Sequence, residues 1–255
     1  MLSAKTLTAE FEALGMTAGD VVLVHSSYKS LGGAEGGPDA VLDALLSVLG
    51  PEGTLILPTF NFDFCKGAPF HLGSTPSRMG ILTELGRRRT GSRRILHPIY
   101  SFAVLGRLAE ELGGLRYKSS YGPDSLFAKL KELDGKIMIL GLSYTNSMTF
   151  FHHVEEMEGV DYRYRKEFTG EVTDGSGRTY RDTFSMMVRD LARGVITAVD
   201  PMGEIMEREG VVSIRTIGEA TVKLMRAQDV YRITAREMKR DPHLLYQIQG
   251  PAESF

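Results

Sequence analysis

Two residues near the middle of the chain have the types and spacing for proton chemistry. His152 and Glu155 stand three apart in the run TFFHHVE at 149–155, and residues at i and i+3 share one face of a helix. A carboxylate that accepts from one ring nitrogen fixes the imidazole tautomer. The other nitrogen is then free as a base near neutral pH. His153 is turned about 100° away around the same helix and falls outside the pair. The spacing also describes an incidental ion pair on a surface helix, worth about 0.2–0.5 kcal/mol. A third reading is a metal-assisted hydrolase using His152, His153, Glu155 and Glu156, although adjacent helix positions diverge rather than meet at one ion.

For the pair to act, a rigid element must deliver its helix. Residues 137–143 read as a buried strand that opens through a polar turn into that helix. Earlier, a helix is expected over 8–14 with Thr8 as its cap, then a buried strand over 20–24 that runs into His25, Ser26, Ser27 and Lys29. A glycine-rich loop at 31–37, a helix opened by Pro38 and a second buried strand at 54–58 follow. This alternation is an α/β signature. An aromatic loop then runs from 59 to 80, and a loop of that length in a compact domain points to function.

Further on, Ser77 is placed to cap a helix over 81–89, whose end carries a basic run through Arg93 and Arg94. A strand is expected before residue 106 and a helix over 126–133. The last third holds a hairpin of 168–172 with 179–184, helices near 184–191 and 202–208, strands at 210–217 and 220–224, and a helix over 230–238. Open α/β sheets bind ligands at the carboxyl ends of their strands. Three turns offer small polar residues there, at 25–27, 75–80 and 142–149.

Composition excludes several classes. Thirty basic against thirty-two acidic residues leave a formal charge of −2, so the overall field does not favour nucleic acid. A single cysteine, Cys65, rules out an intramolecular disulfide and a four-thiolate zinc site and fits a reducing compartment. No run approaches eighteen apolar residues and no apolar leader core stands near Met1, so a soluble, cytoplasmic protein without membrane contact is expected. The phosphate-loop, dinucleotide, nucleophile-elbow and zinc-protease motifs are all missing. With 255 residues and no linker, one domain spanning 1–255 is expected.

Several short motifs also occur in one order. They are VHSS at 24–27, LG at 31–32, GG at 36–37, LGPEGT at 49–54, PTF at 58–60, TPSRMG at 75–80, Arg94 with HP at 97–98 and SF at 101–102, and finally TFFHHVE. Together they resemble the aminoglycoside 3-N-acetyltransferase family, over roughly Leu7 to Leu245. The resemblance implies an α/β fold around a mixed central sheet flanked by helices. It also implies acetyl-CoA as donor, no metal, and transfer of acetyl to an amine of an amino sugar.

It maps the catalytic histidine and its glutamate onto His152 and Glu155, with Thr149 in the matching threonine position. It maps coenzyme A contacts onto Ser26, Ser27, Lys29, Thr75, Ser77, Met79, Gly80, His97 and Ser101, and less strongly onto Arg94. The region from about 160 to 255 is expected on the acceptor side. Direct transfer in a ternary complex is expected, because no base in the sequence points to Cys65 and neither Ser26 nor Ser27 has a nameable activating partner. Two departures stand out: the near-neutral charge, and little inserted material between Asp161 and Phe168. They keep a biosynthetic amino sugar, with or without phosphate or nucleotide, as a rival acceptor to a polycationic drug. A coenzyme A-binding protein without turnover is a further alternative. Homo-oligomerisation is left open.

Overall fold

The computed structural model describes residues 1–249, and positions 250–255 of the expected single domain lie outside the described residues. In chain order the strands are β1 (Val21–Ser26), β2 (Thr54–Pro58), β3 (Phe70–His71), β4 (Arg93–Arg94), β5 (Phe102–Gly106) and β6 (Lys136–Leu140). They continue as β7 (Arg163–Thr173), β8 (Thr179–Arg189), β9 (Val195–Thr197), β10 (Ser213–Ile217), β11 (Ala220–Arg226) and β12 (Tyr246–Ile248). The helices are α1 (Ala4–Leu14), α2 (Gly37–Leu49), α3 (Ile81–Arg88), α4 (Ala109–Gly113), α5 (Leu126–Glu132), α6 (Phe150–Glu158), α7 (Asp200–Arg208) and α8 (Ala227–Arg240).

Seven strands form the central sheet in the order β10-β11-β6-β1-β2-β5-β4. β1 is parallel to both β2 and β6, whereas β2–β5, β4–β5, β6–β11 and β10–β11 are antiparallel. The fold is therefore the expected mixed sheet flanked by helices. Uninterrupted apolar runs make the middle strands because both faces are covered. Val22, Val24, Leu55, Leu57, Met138 and Leu140 pack into one core with residues of α1 and α2. The alternate residues Val21, Leu23, Ile56, Ile137 and Ile139 pack into a second core with residues of α5, α6, α7 and α8. This period-two division is what a pleated strand buried on both sides requires.

Several expectations need correction. α1 begins at Ala4, and its cap is Ser3, whose hydroxyl accepts from the Thr6 amide at 3.1 Å. Thr8 lies inside the helix and its hydroxyl donates to the Ala4 carbonyl. The earlier start lets Leu7 join Phe11 and Leu14 on the buried face. Gly80, not Ser77, occupies the N-cap position of α3. The expected helix near 184–191 does not form, because β8 continues to Arg189, paired in register with β7 as far as Arg163. The loop after β2 contains a short 3-10 turn at Asp63–Lys66 and the two-residue strand β3. β10 and β11 extend the main sheet beside β6, so residues 213–226 belong to the same layer as the N-terminal half.

Candidate active site

β6 ends at Leu140, and Gly141 then turns the chain with φ +66. In the polar turn that follows, the Ser147 hydroxyl donates to the Ser143 carbonyl at 2.6 Å. The chain enters α6 at Phe150, with Phe150, Phe151 and Val154 anchored in the core. This anchoring places His152 in the wall of a cavity of about 560 Å³, with Glu155 buried behind it. Phe62, Tyr100, Tyr121, Thr145, Met186, Met187, Val188, Arg163, Arg189, Leu191 and Thr197 complete its wall. The hairpin β7–β8 thus supplies much of the cavity wall.

His152 Nδ1 lies 2.6 Å from Glu155 Oε2, with the histidine side chain 16% exposed and the glutamate fully buried. The other carboxylate oxygen, Oε1, accepts from the Tyr162 hydroxyl at 2.8 Å, and Arg163 Nε stands 2.7 Å from Oε2. Burial pulls the Glu155 carboxyl upward, but His152, Arg163 and Tyr162 together hold it below the usual range. Burial, helped by Arg163, depresses the imidazole against the pull of Glu155. A neutral imidazole beside an ionised carboxylate donates from Nδ1, which leaves the Nε2 lone pair for the cavity. Tyr121 packs edge-on against the ring at 5.3 Å and limits its rotation.

The four residues of the metal reading do not converge. His153 Nδ1 is bound to the Tyr121 carbonyl at 2.6 Å, and Glu156 accepts from Ser119 and Arg165. Among the described residues, no group of three or more His, Cys, Asp or Glu is placed to hold a metal ion. Thr149 sits at the N-cap position of α6 with its hydroxyl 3.5 Å from the Ser147 carbonyl, and it is not part of the cavity wall. Cys65 has its thiol pushed up to about 11 by burial, so little thiolate exists at neutral pH.

The residues mapped to coenzyme A separate into two layers. Ser26, Ser27, Thr75, Ser77 and Met79 are partly exposed, and Lys29 and Gly80 are exposed. Gly80, at φ +107, comes close enough to β1 that a Cβ there would stand 3.7 Å from the Ser26 carbonyl. The two loops therefore adjoin. In the first of them the Ser27 hydroxyl accepts from the Ser30 hydroxyl at 2.8 Å.

Arg94, His97 and Ser101 form a buried layer beneath these loops. Ser101 Oγ donates to the Thr59 carbonyl at 2.9 Å, and Arg94 donates to the carbonyls of Leu72, Thr75 and Thr59. His97 Nδ1 accepts from the Ile99 and Tyr100 amides, and the ring is stacked on Tyr117 at 5.2 Å. These side chains hold the loops from beneath.

Comparison with known proteins decides the family. The aminoglycoside 3-N-acetyltransferase family model matches residues 23–239. The chain belongs to the aminoglycoside 3-N-acetyltransferase family. Membership makes it an acyltransferase. Aminoglycoside N(3)-acetyltransferase IV of Salmonella sp. is 28% identical over 232 residues, covering 90% of this chain and 84% of that protein. The crystal structure of aminoglycoside acetyltransferase AAC(3)-IVa, as a histidine-to-alanine mutant in complex with a gentamicin, superposes with a TM-score of 0.80. It is 26% identical and covers 99% of this chain and 93% of its own. AAC-IIIb in its binary complex with CoASH shares the fold with a TM-score of 0.80 at 23% identity, covering 98% and 99% of the two chains.

Within this aminoglycoside 3-N-acetyltransferase family member, the site residues without a signal in the sequence come from outside α6. Tyr162 fixes Glu155 from beyond the helix end, and Arg163, Arg189 and Thr197 arrive through the β7–β8 hairpin and β9. No short-range spacing connects them to His152. Among the described residues, no helix is long and apolar enough to cross a membrane.

Proposed function

We propose that this protein transfers acetyl from acetyl-CoA directly to an amine of an aminoglycoside or related amino sugar in the cytoplasm, with His152 as general base. The carrying observation is the buried Glu155 held against His152 Nδ1 at 2.6 Å while Nε2 opens to a cavity able to admit a sugar. An ammonium must lose a proton before its nitrogen can attack, and Nε2 is the acceptor for that proton. The amine nitrogen then bonds to the thioester carbonyl carbon, the C–S bond breaks, and the proton that the nitrogen sheds on becoming an amide balances the one that the departing coenzyme A thiolate takes up. Glu155 stabilises the imidazolium formed in the first step and keeps the ring in one tautomer. The raised Cys65 thiol supports direct transfer over an acetyl-enzyme.

Incubation with acetyl-CoA and a panel of amines, read as acetyl mass gain, tests the activity. His152→Ala should abolish turnover while coenzyme A binding measured by calorimetry survives. Normal turnover by that variant would falsify the assignment of the base.

A further inference from the structure

The carboxylates of α6 and its surroundings do not line the cavity. Glu155 is wholly buried against His152, Tyr162 and Arg163. Glu156 is taken by Ser119 and Arg165, while Glu158 and Asp161 face a separate cleft beside Met238 and Lys239. Asp200 accepts from the hydroxyl of the wall residue Thr145 at 2.6 Å, and Asp190 accepts the Arg193 amide. No carboxylate is among the wall residues, whereas two guanidinium groups are.

The two arginines differ in their partners. Arg163 is neutralised by Glu155 and tied to the Met187 carbonyl and the Thr197 hydroxyl. Arg189 is half-buried at the end of β8 and has neither an ion pair nor a side-chain hydrogen bond among the described residues. It therefore contributes an uncompensated positive charge on the same wall as His152. A half-buried guanidinium that no protein group engages keeps its donors available to a ligand in the cavity. Its planar fork matches phosphate and carboxylate oxygens two at a time. The wall itself offers a polycation no carboxylate to bind.

We propose that the acceptor is an amine bearing an oxyanion, phosphate or carboxylate, which the Arg189 guanidinium binds inside the cavity that holds His152. The proposal rests on the acetyl-transfer reading above and narrows its substrate class. The acceptor, rather than the donor, is assigned to Arg189 because none of the residues mapped to coenzyme A belongs to this wall. The bound oxyanion anchors one end of the sugar so that its amine comes to Nε2, and the anchoring acts chiefly on acceptor affinity.

The full chain is assayed for thiol release with glucosamine, glucosamine 6-phosphate, a 2-amino-2-deoxyuronate and gentamicin. At least one oxyanion-bearing amine should exceed glucosamine and gentamicin in kcat/KM by tenfold or more. The comparison between phosphate and carboxylate identifies the anion. Arg189→Gln should erase that advantage through KM for the acceptor, and Arg189→Lys should restore part of it. Preference for gentamicin or plain glucosamine overturns the proposal and leaves acetyl transfer standing. A rise confined to KM for acetyl-CoA in Arg189→Gln assigns the guanidinium to the donor and also overturns it. Failure of every amine, with coenzyme A still bound, overturns the acetyl-transfer reading and this proposal with it.

Discussion

Glu155 serves three partners at once. It orients His152, accepts from Tyr162 and neutralises Arg163, so each partner tunes the base through one carboxylate. His152 accepts a proton only when neutral, so kcat/KM should fall on the acid side through its depressed pKa. Arg163 lowers that pKa and Glu155 raises it. Arg163→Gln should therefore move the acid limb to higher pH, alongside a stability loss of about 3 kcal/mol as the buried carboxylate loses its one permanent counter-charge. Glu155→Gln should move the limb the other way and lower kcat by about 10²–10⁴-fold, as the imidazolium loses its stabilising charge. Limbs that coincide in both variants and the parent would show that His152 is not the titrating base. At this scale the sequence was partly legible: i, i+3 spacing within one helix exposes His152 and Glu155. Tyr162, across the helix end, and Arg189, on a distant strand, have no such local signature.

Among the elements, the stretch between β2 and α3 depends on one side chain beneath it. Arg94 donates to three carbonyls and to the hydroxyls of Thr59 and Ser101. It thereby fixes the turn that carries Thr75 and Ser77. Arg94→Lys keeps the charge but loses the fork. A drop of about 2–3 kcal/mol in unfolding free energy is expected, together with a higher KM for acetyl-CoA and faster proteolysis between residues 72 and 80. Unchanged donor KM would separate this loop from coenzyme A binding. The element misread from sequence was β8. Phe184, Val188 and Leu191 recur at helical spacing and methionines favour helix, yet β7 supplies a register that local propensity cannot encode. β1, β2 and β6 were legible because burial on both faces demands continuous apolar runs.

For the molecule as a whole, buried neutral histidines set the response to acid. Burial pushes His25 down to about 4, His97 to about 3 and His153 to about 4. An unfolded histidine titrates near about 6.5. The unfolded chain thus binds more protons across that interval, so stability is fullest above about pH 6.5 and declines as pH falls toward about 3. The urea midpoint should drop over that range. His97→Asn, whose carbonyl can take the same two backbone amides, should flatten the slope; a parent midpoint independent of pH between 7 and 4 would count against this account.

The position of β6 has a further consequence during synthesis. Its partner β1 is made early, but β11, on its other side, begins only at residue 220. Until then a nascent chain presents Ile137, Met138, Ile139 and Leu140 along an unpaired edge, residues that are fully buried once folding is complete. Such an edge is a template for association with other chains. A polypeptide halted before β11 will therefore precipitate rather than persist as a smaller, idle enzyme, and only complete translation both seals the edge and fixes the strand that leads to His152.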